Sequence, residues 1–174
     1  MTTNRIGRRN FLTLSAAAAG AFVLPASAQS PASQAPAPTT PKPDPLKPDL
    51  VKEFVIAGHV DLDKVKAMLA VTPALINASW DWGGGDFEMA IGGAGHMGRA
   101  DIASFLISQG GRFDIFVAAM LGRLDIVRPA LTVNPNLATS KGPHGIPLIA
   151  HARKGGPAAA EVLKYLESFP PTAS

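Results

Sequence analysis

The sequence contains no cysteine among its 174 residues, and this absence removes several classes of site at once. Disulfide bonds, thiolate metal sites, thiol catalysis and lipid attachment to a cysteine are all excluded. Aromatic residues are also scarce, at 6% of the chain. Because large aromatic side chains often anchor binding surfaces, the two tryptophans are candidates for such a role.

Negative charge is missing from the first part of the sequence, where no acidic residue precedes Asp44. The formal net charge is +3, and Arg5, Arg8 and Arg9 account for all of that excess. The remainder of the chain is electrically balanced and has no cluster of lysine and arginine. We therefore expect neither nucleic acid nor an anionic membrane surface as the main partner.

A pair of arginines near the N-terminus precedes an apolar segment. Arg8 and Arg9 are followed by Phe11 and Leu12, and the apolar run continues to Leu24. This arrangement resembles a bacterial twin-arginine export signal. The resemblance implies that the twin-arginine translocase is a partner during export and that the protein folds before it is exported.

Residues 1–28 are thus predicted to be a signal peptide, with Ala26 and Ala28 as the small residues of the cleavage site. A helix over the apolar run would be roughly 21 Å long, which is short of a hydrocarbon core of about 30 Å. We therefore expect a periplasmic protein. The alternative is an uncleaved signal that anchors the protein in the inner membrane, with membrane contact confined to that segment.

Proline dominates the next segment. Residues 29–48 hold seven prolines and a single leucine, so they cannot bury enough apolar surface to offset the entropy of ordering. We predict a disordered linker there and a short C-terminal tail at residues 169–174. Residues 49–168 remain for one folded domain.

That domain contains a repeated unit. The segment GHVDLDKVKAML, which begins at Gly58, aligns with GHMGRADIASFL, which begins at Gly95. GRLDI at residues 122–126 and KGGPAAAEVLKYL from Lys154 provide two further, degenerate copies. Apolar residues at i, i+3 and i+4 in the second half of each unit place one stripe on a helix face. The pattern predicts an all-α fold of about four helix-turn-helix units.

These units resemble the ankyrin repeat. IPLIAHARKGG at residues 146–156 is similar to the family's first helix, and AGH occurs at residues 57–59 and again at 94–96. The resemblance covers residues 49–168 and implies an ankyrin-like α-solenoid whose loops project side by side along one edge. It also implies a non-catalytic protein-protein interaction module with an unidentified protein partner.

The stretch GAGHMG at Gly93–Gly98 matches the GxGxxG phosphate-binding fingerprint. A dinucleotide site requires a parallel sheet, and the sequence offers no series of strands alternating with helices. Because these residues also belong to the repeat, we interpret the stretch as a turn between helices. Dinucleotide binding is the weakest of the alternative functions.

The four histidines raise the question of a metal site. His59 and His96 occupy equivalent positions in successive units. Packed helices lie about 8–10 Å apart, whereas zinc needs its ligand nitrogens at about 2.0–2.1 Å. We therefore expect these histidines to hydrogen-bond within their turns rather than share an ion, and we predict no metal site. His151 lies among apolar residues and is expected to be a packed core histidine.

The loops between units carry the candidate binding residues. The first is ASWDWGGGD, in which the two tryptophans flank an aspartate, and two further loops lie at residues 109–114 and 140–145. Asp86 and Glu88 also suit helix starts, where an acid complements free amide groups. The predicted partner-binding residues are Trp80, Asp81, Trp82, Asp86, Arg112, Lys141 and His144.

No motif of a known catalytic constellation is present, so we predict neither catalytic residues nor a cofactor. His144 could form an acid-base pair with Asp81 or Asp86. We do not expect that pair, because the loop at residues 109–114 should lie between them. The alternative function is a small-molecule or enzymatic site that combines Trp80, Trp82 and His144.

Overall fold

The computed structural model describes residues 42–169. The predicted signal peptide, its arginine pair and cleavage site, most of the linker and the end of the tail lie outside the described residues. Within the described part, no helix combines the length and the apolar character needed to cross a membrane.

Eight α-helices follow one another as four consecutive pairs in the described residues, which confirms the prediction of a mainly helical domain. Each pair joins a helix to a second one through a short turn. The first helix begins at Pro48, a residue suited to a helix start because its missing amide hydrogen has no partner there anyway. The helices are α1 Pro48–Val60, α2 Leu62–Val71, α3 Ala90–Met97, α4 Ala100–Ser108, α5 Ile115–Met120, α6 Leu124–Val133, α7 Leu148–Lys154 and α8 Ala160–Glu167.

The first helices of successive pairs pack against one another, α1 on α3, α3 on α5 and α5 on α7. The second helices turn their apolar stripe toward this row. Val65 of α2, Ile102 of α4 and Val162 of α8 are fully buried, as the repeated spacing predicts. In α6 the fully buried residue is Val127, whereas Ile126, which the repeat aligns with Ile102, is half-buried. Burial of such side chains contributes about 1.5–3 kcal/mol each to stability.

A two-stranded hairpin precedes α3, where the sequence predicted only a loop. Strand β1, Ser79–Asp81, pairs antiparallel with β2, Phe87–Met89, and Trp80 lies opposite Glu88. Gly83, Gly84 and Gly85 form its tip and all have positive φ, which only glycine adopts without strain. The hairpin leads directly into α3 and thereby fixes the position of Glu88 beside that helix.

The GAGHMG stretch lies mostly inside α3. Its interpretation as an inter-helix turn is wrong for Gly93–Met97, which are helical, and right for Gly98, whose φ of 75° ends the helix. The only two strands of the described residues are antiparallel. Gly93 is needed for packing instead: a Cβ there would lie 2.7 Å from the His59 ring.

Candidate metal centre

Four side chains from separate parts of the domain converge at one point. His59 comes from the end of α1, Glu88 from β2, His96 from α3 and His144 from the loop before α7. One donor atom of each lies within 4.8 Å of the others. We call these four residues the histidine cluster.

Four of the distances between donor atoms are close to those between ligands around a single ion. His96 Nε2 lies 2.9 Å from Glu88 Oε1 and 3.2 Å from His59 Nε2. His144 Nε2 and His59 Nε2 lie 3.2 Å and 3.4 Å from Glu88 Oε2. Bonds of about 2.1 Å place neighbouring ligands about 3.4 Å apart in a tetrahedral shell and about 3.0 Å apart in an octahedral one.

The expectation that His59 and His96 are too far apart to share an ion is therefore wrong. Glycines line the contact between helices α1 and α3, and there is no room for a side chain on them. A Cβ on Gly58 would lie 2.4 Å from the carbonyl oxygen of Ala90, and Gly93 leaves room for the His59 ring. This close approach lets both imidazoles reach the same point.

Two of the histidines are held with Nε2 facing the cluster. His59 Nδ1 donates to the carbonyl oxygen of Val55 at 2.9 Å, and His144 Nδ1 donates to Asp86 Oδ2 at 2.9 Å. A carbonyl or carboxylate oxygen can only accept, so Nδ1 carries the hydrogen. In the neutral ring Nε2 then presents a lone pair, as histidines that bind metals through Nε2 commonly do.

The backbone of His144 is strained in a way that serves the cluster. Its φ is 59°, the only positive value for a non-glycine residue in the described part of the chain. This conformation costs roughly 1–2 kcal/mol. The Asp86 carboxylate also accepts a hydrogen bond from the His144 amide at 3.0 Å, and so holds the residue in place.

Glu88 is fully buried, and its neighbours favour the ionised form of its carboxyl. Burial alone would raise the pKa of its carboxyl, but hydrogen bonds from His59 and His96 outweigh burial and lower that pKa well below its usual range. The indole of Trp82 also donates to Glu88 Oε2, at 2.8 Å. In turn, the hydrogen bond to Glu88 raises the pKa of His59. The carboxylate thus supplies the negative charge that a bound cation needs.

The cluster opens to solvent on one side. Glu88 and His96 form its floor, with side chains 0% and 8% exposed, while the His144 side chain is 33% exposed. The rings of His59, Trp82 and His144 surround the opening, with centroids 5.7–6.5 Å apart. We call these three rings the mouth.

The predicted partner-binding residues separate into two groups. Trp82, Asp86 and His144 meet at the cluster, so the expectation that the loop at residues 109–114 keeps His144 from Asp86 is wrong. Asp81 lies in the same hairpin and accepts a hydrogen bond from the Gly83 amide at 2.8 Å, away from the cluster.

The other three predicted residues are not at the cluster. Trp80 packs beside the hydrophobic core, with the Lys52 ammonium 5.3 Å from its ring centre. Arg112 lines a separate groove, and its amide donates to Asn77 Oδ1 at 2.7 Å. Lys141 is exposed and pairs through its backbone with Pro147.

His151 does not belong to the cluster. Its Nδ1 donates to the carbonyl oxygen of Pro147 at 3.1 Å, and its ring centre lies 6.5 Å from that of His96. The ring is 1% exposed, as expected for a packed histidine, and burial lowers its pKa. His151 is therefore a natural control for experiments on the other three histidines.

Sequence reasoning missed three members of the cluster: His59, Glu88 and His96. The repeated Gly-His pair was a usable signal, because a glycine before each histidine permits close helix packing. Glu88 gave no signal of its own, since its position opposite Trp80 depends on the hairpin.

The fold and the site together define a helical protein with a candidate centre of three histidines and one glutamate. No family model matches the chain, and no curated protein and no solved structure is significantly similar to it. The histidine cluster is therefore the feature that bears on function.

Proposed function

We propose that this protein binds one divalent transition-metal ion through Nε2 of His59, His96 and His144 and the carboxylate of Glu88. The observation that carries the proposal is the convergence of these four donors, two of them with Nδ1 held by an outward hydrogen bond. Three imidazoles and one carboxylate suit zinc, iron(II), cobalt, nickel or copper, and zinc is the first ion to test.

The alternative is a purely polar network, in which Glu88 needs at least one protonated imidazole, and His59 is the one whose pKa its hydrogen bond to Glu88 raises. With neutral rings carrying the hydrogen on Nδ1, the Nε2 lone pairs of His59 and His144 face the ionised Glu88 at 3.4 Å and 3.2 Å. With all rings protonated, like charges crowd together, because two of the Nε2 atoms lie only 3.2 Å apart. A single metal ion satisfies all the lone pairs and the buried carboxylate together.

The test is a calorimetric zinc titration of the full chain, with metal content measured after gel filtration. We expect one ion per chain, and at least 100-fold weaker binding in His96→Ala and Glu88→Gln, because each loses a direct ligand. His151→Gln is the matched control and should bind zinc as the wild type does. Equal affinity of wild type, His96→Ala and Glu88→Gln, or no binding at all, would refute the proposal.

We further propose that the domain is an ankyrin-like solenoid that acts in the periplasm after export. The four helix pairs and the packing of successive first helices support the solenoid, and the Arg8-Arg9 pair supports export. Cell fractionation tests the location: replacement of both arginines by lysine should retain the protein in the cytoplasm. Unchanged export would argue against this route.

A protein partner is a second candidate, and one observation favours it. A groove of about 450 Å³ between the loops is lined by Arg112 and Phe87, and Phe87 is 61% exposed. Because Asp114 also lines the groove, it suits a peptide segment that brings an apolar side chain to Phe87 and polar ones to Arg112 and Asp114. Pull-down with wild type and with Phe87→Ala/Arg112→Ala tests it; the same proteins captured by both would contradict it.

A further inference from the structure

The three rings of the mouth determine which further ligand the proposed ion could bind. On that side Trp82 lies beside His59 and His144, and its indole nitrogen donates to Glu88 Oε2 and has no lone pair for a metal. The described residues place no further histidine, aspartate or glutamate in the cluster. The solvent side therefore has no protein ligand.

The nearest other carboxylates are engaged elsewhere. Asp86 accepts from both the ring and the backbone amide of His144, and Asp81 accepts from Gly83. Neither carboxylate belongs to the group of donor atoms that lie within 4.8 Å of one another. Four protein donors are thus the most that the described cluster provides.

The charge at this point favours an incoming anion. A divalent ion together with the Glu88 carboxylate leaves one positive charge, in a site whose floor is buried. Three neutral imidazoles do not cancel it. Asp86 is paired with His144 at the rim and not with the ion.

The opening also limits the size of the ligand. Its rings lie 5.7–6.5 Å apart between centroids. Aromatic rings at such separations are in contact, so they leave little room beside Trp82 and favour a small ligand.

From these observations we infer that the ion keeps one exchangeable coordination position at the mouth, which takes water or a small inorganic anion. Four protein ligands alone complete a tetrahedral shell, so the added ligand would make the ion five-coordinate, as catalytic zinc can become. Trp82 would act as a positioning residue that controls the size of the ligand. This inference rests on the proposed metal binding.

Cobalt(II) and azide test the inference on the full chain. Cobalt binding is observed first, through the visible absorption that it gains on entering a site of nitrogen and oxygen ligands. Azide is then titrated in, and we expect a saturable spectral change with one azide per cobalt while the metal stays bound. Trp82→Ala should bind azide several-fold faster, and Trp80→Phe, which alters a packed tryptophan outside the mouth, should behave as wild type.

The other possible results of the azide titration distinguish loss of the open position from loss of metal binding. A cobalt spectrum that azide does not change, or azide that strips the cobalt into the filtrate, would overturn the open position and leave metal binding intact. The same azide rate in Trp82→Ala and Trp80→Phe would overturn the role of Trp82. No cobalt spectrum would overturn this inference and the proposed function together.

Discussion

The His144 ring is held by Asp86, a residue 58 positions earlier in the sequence, through a hydrogen bond of 2.9 Å from Nδ1 to a carboxylate oxygen. The same carboxylate accepts the His144 amide at 3.0 Å. One aspartate therefore sets both the backbone and the ring orientation of a proposed metal ligand, without contacting the ion.

Replacement of Asp86 by alanine should weaken zinc binding by about 10- to 100-fold, as loss of a partner of a ligating histidine does. The reason is that His144 loses the bonds that hold its strained backbone and its ring. Zinc titration of Asp86→Ala and Asp81→Ala measures the effect, since Asp81 belongs to the same hairpin but bonds only within it. Equal losses in the two variants would show that the hairpin, and not the Asp86–His144 pair, is responsible.

Helix α3 offers a matched pair of glycine substitutions. In Gly93→Ala the new Cβ would lie 2.7 Å from the His59 ring, so that ring must move and zinc affinity should fall. In Gly92→Ala the nearest atom, Glu88 Cγ, is at an ordinary 3.5 Å. That variant should keep its affinity and gain up to about 1 kcal/mol from better helix propensity. Zinc titration and thermal melting of both variants measure these two effects. Unchanged zinc binding in Gly93→Ala would contradict the close contact with His59.

The stability of the protein should depend on pH through His59, which faces Glu88, His96 and His144. Its pKa is raised above 6.5 by the hydrogen bond to Glu88, so its protonated form stabilises the metal-free fold. This stabilisation is fully present below pH 6.5 and is lost as pH rises through the raised pKa. Zinc competes with that proton, so it should stabilise the protein more as pH rises.

Thermal melting with and without zinc, between about pH 5.5 and 8, measures this difference. The increase in Tm due to zinc should grow with pH in the wild type and should be small throughout in His59→Ala. An increase that does not vary with pH would mean that no proton leaves the cluster when zinc binds.

The two tryptophans should report metal binding differently. Trp82 donates to Glu88, whereas Trp80 packs beside the core. In Trp80→Phe the remaining tryptophan fluorescence comes from Trp82. Copper(II) or nickel(II) should quench it strongly at one ion per chain. In Trp82→Phe the emission of Trp80 should change little. Equal quenching in both variants would indicate binding elsewhere or non-specific quenching.

The helix pairs could be predicted from the sequence because their signal is local. Apolar residues such as Ile102 and Val162 recur with helical spacing, and each pair forms its own turn. The hairpin at Trp80 and Glu88 could not be recognised as easily, because strands of three residues are too short to show alternation.

The cluster could not be predicted, because it depends on distances between segments. The average distance between packed helices does not apply where glycines such as Gly58 and Gly93 line the contact. The loop at residues 109–114 also does not stand between its neighbours: Gly111 packs on the Leu106 carbonyl, and the Arg112 amide bonds to Asn77. The loops before and after it are therefore free to meet.

The position of the cluster also bears on how the chain unfolds. In a protein of successive helix pairs each pair contacts mainly its neighbours, so cooperativity along the chain depends on the contacts between neighbouring pairs. An ion held by residues 59, 88, 96 and 144 would join the start of the domain to the loop before its last pair, in a chain without a single covalent cross-link. Withdrawal of that ion would allow the pairs to melt one after another instead of as a single block.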